Sequence, residues 1–251
     1  MVSLQRSLAA LVLAGSLVAP ASALTLYNPA LATLPAAQGW TTFGISAPAG
    51  TQSVSGALLQ FSSQGNGSFG NFSTAPQALD TAAGFRLRWQ LKIDSETHTD
   101  QRAGFSLLMQ GANQAKSLEL GFWSDKVWAL DASGSLDQSL AYVRGETWDF
   151  NTTAALTTYE LTVVSDRFSL SANGTPLFAG TLPLRDYLEF PFPNSRYVYG
   201  QSNFLLFGDN SGSGTSTAQI GQIHLLPVPE PSAALLLAAG LALVGWRARR
   251  R

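Results

Sequence analysis

The sequence predicts an all-β protein in which two antiparallel sheets pack face to face as a sandwich or jelly roll. Three observations predict it. Apolar and polar residues alternate over several short segments, above all from Phe85 to Ile93. Period-two alternation puts one set of side chains on a buried face and the other in water. Turn-forming pairs and Gly/Ser/Asn clusters separate these segments at short intervals. Between the two chain ends no stretch carries the spacing of an amphipathic helix. Sheets without helices must bury their apolar faces against each other.

The elements follow in chain order. Leu24 to Gly50 holds Pro29, Pro35 and Pro48 and is expected to supply an edge strand and loops. Ala57 to Ser62 reads as a strand, and Gln64 to Ser73, rich in Gly, Asn and Ser, as a loop. From Gly84 to Asp94, Phe85, Leu87, Trp89, Leu91 and Ile93 alternate with Arg86, Arg88, Gln90 and Lys92. Ser95 to Arg102 is a polar loop, and Ala103 to Gln110 a more apolar strand. Ser117 to Trp123 and Lys126 to Leu130 form a hairpin about Ser124-Asp125. Thr158 to Val164 and Asp166 to Ala172 are strands, and Asn173-Gly174 is a strong turn. Pro176 to Thr181 begins the return strand. Leu182 to Asn194 carries Pro183, Pro191 and Pro193 and is a loop with one helical turn at Leu184 to Leu188. Asn203 to Phe207 is a strand, Gly208 to Ser216 is turn-rich, and Ala218 to Leu226 closes the fold.

The two ends read as addresses. Met1 to Ala23 has Arg6, an apolar run from Leu8 to Val18, then Pro20. Ala21-Ser22-Ala23 gives the small-x-small pattern of a signal-peptidase site. This is a secretory signal peptide, cut to leave Leu24 first. At the other end, Pro229-Glu230-Pro231 is an extended tripeptide, because proline cannot continue a helix. An uncharged apolar run from Ala233 to Trp246 follows, then Arg247, Arg249, Arg250 and Arg251 as a positive stop on the cytoplasmic side. The run is short against the roughly 20 residues of an unaided transmembrane helix. Snorkelling arginines narrow the gap. This tail resembles the PEP-CTERM sorting signal of exopolysaccharide-producing bacteria. The resemblance implies that a membrane protease of the exosortase class recognises Pro229, Glu230 and Pro231. The chain then divides into a signal peptide (1–23), a β-sandwich (24–226) and a sorting tail with a transmembrane helix (227–251).

Composition excludes several functions. Of 251 residues, five of the fifteen basic ones lie in the two ends. Between Leu24 and Pro229 ten basic residues face fifteen acidic ones, a net charge of −5. With no basic run there, nucleic acid is excluded as a partner. Absence of cysteine removes thiol catalysis and thiolate metal sites. His98 and His224, far apart, make no zinc motif.

The runs L-K-I-D-S-E-T-H-T-D-Q-R-A-G-F-S-L-L from Leu91 and L-E-L-G-F-W-S-D-K-V-W-A-L from Leu118 resemble the laminin-G/concanavalin A-like group. N-F-L-L-F-G-D-N-S-G-S-G from Asn203 is similar to that group's late strand and loop. More narrowly, these segments resemble the choice-of-anchor bacterial surface domains. The resemblance implies a jelly-roll module that binds carbohydrate or matrix, and no defined reaction.

Glycan cleavage needs two carboxylates about 5–5.5 Å or 6.5–9.5 Å apart. No E-x-D-x-E run offers them, and no catalytic residue is assigned. Asp94 and Glu96, at a strand end, read as a solvated pair, and Glu119 as an outward strand position. Asp209 and Asn210 are the candidate calcium ligands, weighed against a turn that bonds its own backbone. Asp125 and Asp131 invite the same comparison. No other cofactor is implied. Of five tryptophans in the sandwich, Trp89 belongs to the core, and Trp123 and Trp148 are the candidates for stacking on sugar. Four N-x-S/T sequences, at Asn66, Asn71, Asn151 and Asn173, are chance in a Ser/Thr-rich chain. The expected function is a non-catalytic envelope or matrix protein that binds exopolysaccharide. The alternatives are a glycan-active hydrolase and a purely structural matrix protein.

Overall fold

The computed structural model describes residues 23–45, 50–64, 67–74, 79–98, 104–131, 143–187, 196–228 and 240. Two antiparallel sheets face each other, as the alternation requires. The first contains β1 (Leu24–Tyr27), β3 (Gly50–Ser55), β4 (Leu58–Ser63), β6 (Phe85–Thr97), β11 (Thr157–Val164) and β12 (Arg167–Ala172). It also holds the two-residue strands β13 (Thr175–Pro176) and β14 (Leu182–Pro183) and the long β16 (Thr215–Pro227). Its order is β13-β12-β11-β6-β16-β4-β3, with β1 beside β16 and β14 beside β12. The second sheet contains β2 (Thr41–Gly44), β5 (Phe69–Thr74), β7 (Ser106–Gln110), β8 (Ser117–Phe122), β9 (Lys126–Asp131), β10 (Val143–Asp149) and β15 (Phe204–Asp209). Its order is β10-β9-β8-β7-β15-β5-β2.

The inner faces meet in one core. From β6 come Phe85, Leu87, Trp89, Leu91 and Ile93, all buried, while Arg86, Arg88, Gln90 and Lys92 stay on the outer face. Arg88 donates to Glu160 of β11 at 2.8 Å, a cross-strand ion pair on that polar face. Trp89 stacks on Tyr159 at 5.5 Å, and Phe122 of the opposite sheet meets Tyr159 edge-on at 5.2 Å. Burial pushes the Tyr159 phenol above its ordinary value.

The turns are two-residue loops of the type I′ class, which needs positive φ at both positions. Asn173-Gly174 supplies it (49° and 80°) between β12 and β13. Ser165-Asp166 does so without glycine (51° and 56°), held by backbone bonds to Ala82 and Thr81.

Several expectations are corrected. The Gln64 to Ser73 loop contains most of β5, whose Phe69 and Phe72 pair across to Asp209 and Leu206. The polar segment after Asp94 begins as strand: β6 runs to Thr97 because β16 continues to pair with it. No helical turn occupies residues 184–187. Arg185 instead exchanges backbone bonds with Ser117, and a four-residue helix, α1, lies at Arg196–Tyr199. The return strand from Pro176 ends at once, because the chain bends through 177–180.

Ala23 is exposed at the start of the sandwich. Ala21, Pro229, Glu230, Pro231, Arg247, Arg249, Arg250 and Arg251 lie outside the described residues. Among those described, no helix is long and apolar enough to cross a membrane.

Candidate functional site

The outer face of the second sheet concentrates the unusual side chains. Even-numbered residues of β8 face the core, so Ser117, Glu119 and Gly121 face outward. That face is covered. Leu108, Trp123, Trp128, Leu130, Tyr187, Tyr199, Phe204 and Leu206 form a second apolar cluster over it. Gly121 lets Trp128 lie against the sheet: a methyl group there would stand 2.3 Å from the indole ring.

Glu119 is the outward strand position that the sequence implies, but on this covered face it is only 1% exposed. Its carboxylate accepts a hydrogen bond from the Tyr199 hydroxyl and one from Asn210 Nδ2 at 3.3 Å. Tyr187 accepts from the Glu119 amide at 3.2 Å and donates to the Leu130 carbonyl at 2.9 Å. Burial pushes the Tyr187 phenol above its ordinary value, and the hydrogen bond from the Glu119 amide offsets part of the shift. The sequence signal was a lone carboxylate in an apolar run. What covers it comes from residues 187 and 199, whose position no local pattern gives.

At the end of β6 the pairing with β16 skips Asp94. This bulge reverses the alternation. Asp94 joins Lys92 and Gln219 on the polar face of the first sheet, at 2.8 and 3.0 Å. Glu96 turns toward the β8–β9 hairpin, where its side chain is 2% exposed and accepts from the Ser124 amide at 3.0 Å. The two carboxylates do not act on a common substrate position. Glu96 also binds His98 Nδ1 at 2.8 Å, and the His98 ring stacks on Trp123 at 3.8 Å. Arg144 lies over the same indole at 4.5 Å. Trp123, 6% exposed, is thus already stacked by protein groups.

Trp148 is different. It is 42% exposed on the edge strand β10, whereas Trp40, Trp89, Trp123 and Trp128 are all at most 6% exposed. Glu146 on the same strand lines a depression of about 570 Å³ with Asp131, Pro183, Leu184, Arg185 and Asp186. Arg185 fixes its floor, donating to Glu146 at 2.7 Å and pairing with Asp131 at 3.8 Å.

Asp209 and Asn210 are buried at the end of β15. Asp209 Oδ1 accepts from the Ser211 amide at 2.8 Å and its hydroxyl at 2.7 Å. Asn210 Nδ2 is engaged with Glu119 and Tyr199. Among the described residues no group of three or more Asp, Glu, His or Cys side chains is placed to hold a metal ion.

Known proteins place the fold and the tail. No curated protein matches the chain. The carbohydrate esterase of the Shiga toxin-encoding bacteriophage phi24B superposes with a TM-score of 0.51 and 14% identity, over 81% of this chain and 98% of that one. A point mutant of the Emp46p carbohydrate recognition domain gives a TM-score of 0.50 at 14% identity, over 82% and 97%. At such identities the likeness shows the sandwich fold. Residues 227–251 match the PEP-CTERM protein-sorting motif, the mark of an exported, membrane-anchored precursor destined for the cell surface.

Proposed function

We propose that this is an exported surface protein whose sandwich binds polysaccharide along strand β10 and catalyses no reaction. The observation that carries the reading is the exposure of Trp148 alone among the five tryptophans of the described sandwich. An indole face in water offers a sugar ring a flat apolar surface. The neighbouring Glu146, Arg185 and Asp131 offer charged hydrogen-bonding groups to its hydroxyls. Two solved structures of this fold are named for carbohydrate, one as an esterase and one as a recognition domain, which supports a saccharide as the ligand.

The reading carries a division of the chain. Residues 1–23 are a signal peptide removed by signal peptidase. Residues 24–226 are the working sandwich. Residues 227–251 hold the precursor in the inner membrane until an exosortase-type protease acts on the motif at Pro229 to Pro231. The bacterium's own exopolysaccharide is the partner.

Titration of the purified protein with that exopolysaccharide tests the binding. The native protein binds saturably, and Trp148→Ala weakens binding by about tenfold or more, as loss of a central aromatic contact does. The unfolding midpoint of the variant stays that of the native protein. No binding by the native protein, or equal binding by the variant, overturns the reading.

A further inference from the structure

We infer that strand β3 pairs antiparallel with β3 of a second copy of this chain, joining two first sheets into one continuous sheet. The inference does not depend on the saccharide reading. It rests on a comparison of the sheet edges. An unpaired strand edge is a template for another strand, and proteins blunt such edges with proline, charge, bulges or short length. In this fold the other edges are blunted. β13 and β14 have two residues each and contain Pro176 and Pro183. β10 breaks register between Arg144 and Thr147 and carries Arg144, Glu146 and Asp149. β2 and β1 have four residues each, and β1 breaks register after Thr25.

β3 has none of these devices. It reads Gly-Thr-Gln-Ser-Val-Ser, without charge or proline. Its six residues pair with β4 in unbroken register, from Gly50↔Ser63 to Ser55↔Leu58. Among the described residues β4 is its sole strand partner.

The turn fixes which groups face outward. Gly56 and Ala57, at φ 59° and 60°, make a two-residue turn, whose closing pair is Ser55 and Leu58. That pair exchanges both backbone bonds, and the pattern alternates. Thr51, Ser53 and Ser55 therefore bond toward β4, while Gln52 and Val54 direct their N–H and C=O groups away from the sheet.

The edge is also held rigid. Gln52 and Asn71 of the second sheet exchange amide hydrogen bonds at 3.0 and 3.3 Å, and Val54 packs against the core. A second copy fits because the pairing is its own complement. A twofold axis sets small hydroxyl side chains of Thr51, Ser53 and Ser55 opposite one another on the outer face and brings no like charges together. Gln52 and Val54 of each copy then supply the backbone bonds.

Sedimentation equilibrium of the full-length protein in detergent tests this, with Ser53→Lys as the variant. The native protein is a dimer, and the variant, with a lysine set near its mate across the axis, is a monomer with an unchanged unfolding midpoint. In the native protein the Gln52 and Val54 amides exchange slowly and lose that protection on dilution. A monomeric native protein, a variant that stays dimeric, or amide exchange independent of concentration each overturns the inference.

Discussion

Tyr199 donates its phenolic hydrogen to a carboxylate oxygen of Glu119, and neither residue is more than 2% exposed. The bond ties helix α1 to the middle of the second sheet. A buried hydrogen bond to a charged acceptor contributes about 1.5–3 kcal/mol. Tyr199→Phe is expected to lower the free energy of unfolding by that amount in urea titrations. Because both partners share one network, Glu119→Gln combined with it should cost less than the two single changes summed.

Gly121→Ala should be costly for a different reason. The added methyl group meets the Trp128 ring at 2.3 Å, so the ring must lift from the sheet and disturb the cluster above. Overpacking of this kind costs about 1–3 kcal/mol. Urea unfolding checks the size, and a changed near-ultraviolet dichroism checks that Trp128 has moved.

His224 makes the fold acid-sensitive. Burial, with Arg88 nearby, holds its imidazole below the ordinary histidine value of 6.5. The unfolded chain therefore takes up a proton at a higher pH than the folded one. Above about pH 7 the residue has no effect on stability; as pH falls through 6.5 the fold loses stability, until the folded imidazole is protonated as well. Melting midpoints taken from pH 8 to pH 5 should fall, and His224→Gln should flatten that slope.

Chelation is expected to do nothing to the fold. Asp209 Oδ1 is committed to Ser211, and Asn210 Nδ2 to Glu119 and Tyr199. Thermal unfolding with EDTA and with added calcium should give one midpoint. A rise with calcium would identify Asp209 as a ligand.

The sorting motif predicts a transport defect. Glu230→Ala, or removal of Arg247, Arg249, Arg250 and Arg251, should leave the precursor in the membrane fraction. Cell fractionation with an antibody to the sandwich measures it, and normal surface delivery of both variants would count against the motif's use.

The fold was legible where the alternation was strong. β6 declared itself because nine residues keep strict period two and the strand is central, with its polar side in water. β5 was hidden because its glycines and asparagine look like a loop. Gly70 serves there because a methyl group would stand 2.6 Å from the Phe207 carbonyl. β3 and β10 carry few large apolar residues, as edge strands do, and left no pattern to read. The candidate site was legible only in part. Trp148 and Trp123 look alike in sequence, and only tertiary packing decides that Trp123 is stacked under His98 and Arg144 while Trp148 meets solvent.

The interior strand β16 is the last of the described strands, yet it pairs with β6, β4 and β1. A polypeptide threaded through a membrane from its amino end delivers that strand after every other. Until residue 227 has crossed, the first sheet has a gap between β6 and β4, and the core beneath it is open. Completion of the sandwich therefore coincides with arrival of the sorting tail at the bilayer.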